Sequence, residues 1–101
     1  MKQFPSKNPN ETLVLTFGFT KIMRSSETLT GTPTAVVSLS SGTTDPAMGS
    51  MVQDVQLDVA NNNVLVKLAG GVQGNTYVIE ARTATTLGQT PALAGALPVS
   101  Q

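Results

Sequence analysis

The sequence predicts an all-β domain of six to seven short antiparallel strands behind an extended N-terminal arm. Three observations carry this expectation. Apolar residues recur at every second position in run after run, which is the period of a strand with one buried face. Turn residues separate the runs at the spacing of a small sandwich. A glycine-punctuated loop, Gly70-Gly71-Val72-Gln73-Gly74, leads into an alternating run that opens Thr76-Tyr77. The penultimate strand of an immunoglobulin-like sandwich reads this way, its tyrosine pinning the loop before it. Gly70, Gly71, Gly74 and Tyr77 are therefore assigned to a structural corner, with Tyr77 buried and its hydroxyl bonded to backbone in or near the loop.

The elements follow in order. Residues 1–11 are polar, carry two prolines and show no periodicity, so they read as an extended arm, with plain disorder as the alternative. Residues 12–101 form the single domain. Thr12 to Phe19 alternates, with Leu13, Leu15, Phe17 and Phe19 on one face. Thr20 to Arg24 is read as one helical or 3₁₀ turn laying Ile22 and Met23 over the core edge. Glu27 to Thr30 is a short bridge strand, set off by Gly31 and Pro33 from a second long strand with Ala35, Val37 and Leu39 facing inward. Ser40 to Ser50 is loop by composition, with Asp45-Pro46 as its turn signal. Met51 to Val59 alternates again, Val55, Leu57 and Val59 inward. Asn61-Asn62-Asn63 suits a tight hairpin turn, because asparagine tolerates positive φ. Val64, Val66 and Leu68 face the core from the next strand. Tyr77, Ile79, Ala81 and Thr83 share one face of the strand after the corner. Ala92 to Val99 closes the domain. Parity within these runs assigns Leu13, Leu15, Phe17, Val37, Leu39, Val55, Leu57, Val66, Leu68, Ile79 and Leu97 to the core, since a one-residue slip would turn a whole strand inside out.

Composition narrows the function. The chain has 101 residues, enough for one domain with its own core, and formal net charge zero with 12% charged residues. It lacks the basic footprint that phosphate neutralisation requires, so nucleic acid is not an expected partner. The start has no apolar signal-peptide core, and no apolar run approaches a membrane span. Lys2, Lys7, Lys21 and Arg24 outnumber Glu11 and Glu27 in the first thirty residues, while residues 31–60 carry only Asp45, Asp54 and Asp58. That asymmetry could steer two copies head to tail; the ordinary reading is solvated surface charge. A neutral, lightly charged surface favours association, which hints at life inside an assembly.

The chain holds neither histidine nor cysteine. A serine–histidine–aspartate triad, a cysteine–histidine pair, a thiolate metal site and a disulfide are all excluded. Asp54 and Asp58 share a strand face but stand about 13 Å apart, too far to cooperate. The glycine loop leads into a strand rather than a helix N-terminus, so it is no phosphate loop. Glu80 and Arg82 read as a solvated pair. No cofactor, metal, nucleotide or small-molecule substrate is expected, and no enzymatic activity.

Four segments resemble the small fiber-tail adaptor proteins of tailed bacteriophages. They are Lys7-Asn8-Pro9-Asn10-Glu11 before a strand ending Phe17-Gly18-Phe19-Thr20-Lys21; Ser26-Glu27-Thr28-Leu29; Leu68 to Tyr77; and Thr85-Thr86-Leu87-Gly88-Gln89 followed by Leu97-Pro98-Val99. The resemblance spans about residues 8–99. It departs from the family in lacking tryptophan near Phe19 and Met23 and in the second strand. It implies an immunoglobulin-like virion protein without catalysis, made in the host cytoplasm and built into the tail or neck. There it would link tail or neck proteins to fibers, as a symmetric homo-oligomer. The competing reading is an immunoglobulin-like surface or carbohydrate-binding module.

The arm Met1–Glu11 and the loop Ser40–Ser50 are the candidate partner-binding segments, through Lys2, Phe4, Pro5, Lys7, Pro9, Asp45, Pro46 and Met48. An extended arm can add to another sheet edge, and long loops in small domains tend to be functional. Such an arm would contribute little to its own core, so removing residues 1–10 is expected to leave the thermal midpoint within a few degrees.

Overall fold

The computed structural model describes residues 2–22 and 27–100. Seven strands follow one another: β1 (Lys2–Gln3), β2 (Leu13–Gly18), β3 (Leu29–Ser41), β4 (Val52–Asp58), β5 (Asn63–Leu68), β6 (Thr76–Thr85) and β7 (Ala92–Pro98). Three 3₁₀ turns, at Thr20–Ile22, Met48–Ser50 and Val59–Asn61, are the helical elements among the described residues. The fold is all-β.

The strands form two sheets. One has the order β1-β7-β6-β3 and the other β2-β5-β4. All pairings are antiparallel except β1 on β7, which is parallel. The registers follow from parity. Phe17 stands opposite Val64 and Leu15 opposite Val66, while Leu39, Tyr77 and Leu97 line up across the other sheet. The inward residues of both sheets meet in one core: Leu15, Phe17, Phe19, Val64, Val66 and Leu68 from one side, Leu29, Tyr77, Ile79, Ala81 and Leu97 from the other. Of the residues that parity assigned to the core, Leu15, Phe17, Val66, Leu68, Ile79 and Leu97 are buried. Leu13, Val37, Leu39, Val55 and Leu57 pack partly buried against them.

Several boundaries differ from the sequence reading. The bridge strand and the strand after it are one thirteen-residue strand, β3. Gly31, at φ 77°, and Pro33 do not break it; they sit in the register shift between Thr30 and Thr34. A bulge absorbs residues that cannot keep the ladder and lets the strand continue. Ser40 and Ser41 extend β3 into the segment read as loop. Val59 is not inward: the backbone leaves the strand after Asp58, and Val59 lies exposed on a 3₁₀ turn. The turn residue is Asn62, at φ 56°, while Asn63 already belongs to β5. Ile22 is exposed rather than laid over the core; Met23 and Arg24, like Ser26, lie outside the described residues.

The largest revision concerns the arm. β1 pairs along β7, Lys2 opposite Gly95 and Gln3 opposite Ala96. Phe4 then turns inward and is buried. Its ring meets Phe17 edge-on, with centroids 5.3 Å apart and planes at 73°. It rests on Gly95, where a β-carbon would come within 2.3 Å of the ring. Further on, Lys7 bridges to Val99 in parallel. The arm is thus seated on its own domain, because the glycine leaves a ring-sized gap at the sheet edge.

Connectivity gives the 42 × 22 × 19 Å molecule two ends. At the first lie Lys7 and its neighbours, the segment between β3 and β4, the corner between β5 and β6, and the chain after β7. At the second lie the β2–β3, β4–β5 and β6–β7 connections.

Candidate functional site

Lys7, Asp45 and the glycine corner, among the residues singled out from the sequence, converge on the first end, while Lys2 and Phe4 lie further along the β7 edge. The corner forms because Gly70, Gly71 and Gly74 take φ of 77°, 101° and 90°, a region that side chains disfavour. At Gly71 space is short as well, since a β-carbon would stand 3.0 Å from Val99 Cγ2. The folded loop brings the Val72 N–H onto the Tyr77 hydroxyl at 2.9 Å. That hydroxyl also accepts from Asn75 Nδ2 at 3.1 Å and donates to Asp45 Oδ2 at 2.8 Å. Its one donor and both acceptor positions are used, the full capacity of a phenol. Tyr77 is wholly buried. Tyr77 thus ties the loop at Val72 to the β3–β4 loop at Asp45.

Asn75 carries most of that second connection. Its Oδ1 accepts from the Thr43 N–H at 2.9 Å and its Nδ2 donates to the Thr43 carbonyl at 2.8 Å. The side-chain amide thus pairs with one loop residue as a strand neighbour would. Gly42 makes room for it, lying at φ 116° with its absent β-carbon 2.0 Å from Asn75 Oδ1. Sequence reasoning assigned no role to Gly42, Thr43 or Asn75. The only local signal was an asparagine two residues before the corner tyrosine. Gly42→Ala is expected to cost about 3 kcal/mol, from left-handed backbone strain and loss of the Asn75–Thr43 pair. Chemical denaturation against the parent checks it; a cost below about 1 kcal/mol would mean that the loop is not held by this clasp.

Asp45 serves the fold. Its Oδ1 accepts from the Ala47 N–H at 2.9 Å, closing the turn at Pro46, while Oδ2 takes the tyrosine proton. Met48 packs partly buried against the core, and Pro46 is exposed. On the arm, Pro5 is exposed and Pro9 partly so, whereas Phe4 and Lys7 are buried in the chain's own structure. The reading of Phe4 and Lys7 as surface for a partner is corrected accordingly: both side chains face this domain. Lys2 contributes its backbone to β1.

Lys7 fastens the arm to the corner. Its Nζ donates to the Gly70 carbonyl at 2.7 Å and to the Asn8 carbonyl at 2.9 Å. Backbone bonds from Lys7 N to Pro98 O and from Ser100 N to Lys7 O hold it beside the end of β7. The ammonium is covered but lies near the surface. Desolvation lowers its pKa from the ordinary 10.5, and the nearby Glu11 carboxylate opposes that shift. With the native pKa depressed, the unfolded chain binds more protons between the lowered value and 10.5. Stability should therefore rise with pH across that alkaline window. Below it both states are charged and the full burial penalty applies. Thermal melts of the parent and Lys7→Met as a function of pH test this: the parent should gain relative to the variant through the window, and parallel curves would refute it.

The polar groups of this end are turned onto one another. A shallow recess of about 390 Å³ opens between the loop and the corner, bordered by Asp45, Gln53, Gly70 and Val72. Its one carboxylate is engaged at both oxygens. No group of three or more metal-ligating side chains occurs among the described residues. Asp54 turns to its neighbours Val55 and Gln56, and Asp58 to Asn61. Glu80 and Arg82 form a 2.7 Å pair with both side chains about half exposed, the solvated pair expected. No described helix is long and apolar enough to cross a membrane.

The model of the family described as podophage GP4 fiber-tail adaptor protein gp77 matches residues 7–94. The chain belongs to this family. The adaptor match opens at Lys7, which fastens the arm, and includes the whole corner with the loop clasped to it. Lys2, Phe4 and Pro5 precede the matched span. Searches of curated proteins and of solved structures returned no match. The family description names a structural component of phage particles, in keeping with the resemblance seen in the sequence.

Proposed function

We propose that this protein is a non-enzymatic virion component that links tail or neck proteins to tail fibers, working as a symmetric homo-oligomer in the tail region. The family match over residues 7–94 carries this reading. The order β1-β7-β6-β3 facing β2-β5-β4, with a buried tyrosine at the start of β6, supports an immunoglobulin-like sandwich as its scaffold. The alternative, a carbohydrate-binding module, needs exposed aromatic rings. Phe4, Phe17, Phe19 and Tyr77 are the chain's four aromatic residues, and all are buried.

The first end is the proposed attachment surface for one partner, through the exposed Pro5 and Pro46 and the partly exposed Pro9. The clasps beneath it hold these residues in place. A phage lacking the gene tests the function. Its particles should keep their tails and lose their fibers, and the wild-type protein supplied from a plasmid should restore both fibers and infectivity. A Pro5→Asp, Pro46→Asp double variant should fold normally and restore them poorly. Fibered, infectious particles without the protein would refute the linking role.

A further inference from the structure

We propose that the second end carries a separate docking groove that takes an extended segment of another virion protein as an added strand on β7. This inference rests on the adaptor reading, since a linker between two partners needs two surfaces, and the ends are separated along the 42 Å axis. The groove measures about 660 Å³ and lies between Phe17, Gly18 and Lys21 on one side and Ala92, Leu93 and Ala94 on the other.

Three observations define the occupant. The first is an open ladder. β1 pairs with β7 only at Gly95 and Ala96, and no described residue pairs with Ala92 or Leu93 on that side. The bonds Phe4 N–H to Ala96 O and Lys7 N–H to Pro98 O show that even-numbered residues of β7 aim their backbone groups at this edge. The odd-numbered Pro91 aims its carbonyl at Thr83 N–H on β6 instead. By this alternation Ala92 presents both N–H and C=O outward, as a strand-adding segment requires.

The second is the seat itself. Phe4, three residues along the same edge, shows what side chain enters between the sheets there: an apolar ring against Phe17. The groove shares Phe17 and offers Leu93 as its opposite wall. Around it the end is apolar. Ile22, Val59 and Leu87, each 47–49% exposed, come one from each of its three connections, and they are half of the exposed large apolar side chains among the described residues.

The third is charge. Among the described residues, Lys21 is the one charged residue lining the groove. The occupant is therefore an extended segment with an apolar side chain for the space between Phe17 and Leu93, and an acidic residue beside it for Lys21. A second copy of this chain is disfavoured as the source, because the arm of each copy is already seated on its own β7.

The natural chain contains no cysteine, so single introduced thiols can carry a probe. Ala92→Cys at the groove and Pro46→Cys at the first end, each labelled with benzophenone-maleimide, would be assembled into particles lacking the gene. The particles would then be irradiated and the adducts sequenced by mass spectrometry. The probe at position 92 should label one segment of a different virion protein, distinct from the target at position 46. Adding Lys21→Glu, on an exposed turn, should lower the position-92 yield several-fold and leave that at position 46 unchanged. No adduct at position 92, the same target as at position 46, or a second copy of this chain would overturn the groove while leaving the adaptor reading standing. Absence of the unlabelled wild-type protein from purified particles would overturn the adaptor reading, and the groove with it.

Discussion

Replacing Tyr77 by alanine is expected to leave the purified protein largely unfolded at room temperature. The ring is fully buried among core residues, and its removal alone costs about 3–5 kcal/mol. The hydroxyl is the meeting point of three elements: the Val72 N–H of the corner, the Asn75 amide at the head of β6 and the Asp45 carboxylate of the loop. Leaving the Val72 donor without its acceptor adds roughly 1–3 kcal/mol. A domain of this size has only about 5–15 kcal/mol in total. Tyr77→Phe keeps the packing and loses the hydroxyl alone, so it should fold and cost about 2 kcal/mol, with the loop around Asp45 more open to proteolysis. Circular dichroism and urea melts read both variants. A Tyr77→Ala protein that melts within a few degrees of the parent would show that the corner is not held by this residue.

Phe4→Ala is expected to lower the thermal midpoint by about 12 °C or more. Truncating a buried phenylalanine costs about 3–5 kcal/mol, and each kcal/mol is worth about 4–8 °C in a domain of this length. The lost contacts are the edge-on ring of Phe17 and the bare backbone of Gly95. Deleting residues 1–10 should do at least as much, since it also removes the β1 pairing and the Lys7 bonds to Gly70 and Asn8. The expectation of an unchanged midpoint after truncation is thereby reversed. Differential scanning calorimetry decides: a shift under about 3 °C for both variants would mean that the arm leaves its seat in solution. Truncation therefore cannot serve as a clean test of partner binding, because assembly would fail along with folding. Substitutions at exposed Pro5 and Pro46 avoid that confusion.

Local pattern alone states β2, β4, β5, β6 and β7 with their inward faces, but it splits β3 and leaves β1 unread. Side-chain direction alternates with a period of two, so parity within a run such as Thr76 to Thr85 states which residues go inside, with no knowledge of what they meet. It also determined the corner, because positive φ at Gly70, Gly71 and Gly74 is a local requirement. The family resemblance rested on the same local patterns. Where parity was extended past a strand end it failed: Val59 kept its place in the count while its backbone had already turned into a 3₁₀ helix.

The roles of the non-periodic residues emerge from the packing of distant segments. Phe4 is inside because Gly95, some ninety positions later, leaves room for it. Lys7 is covered because the corner carbonyl of Gly70 lies within its reach, and Asp45 belongs to the corner because Tyr77 points at it. The gathering of Ile22, Val59 and Leu87 at one end is likewise a product of folding, since they come from three separate turns. Local rules fix the conformation of a segment. Which distant segment it meets depends on shape and on hydrogen-bonding capacity left unfilled, and neither exists until both sheets are in place.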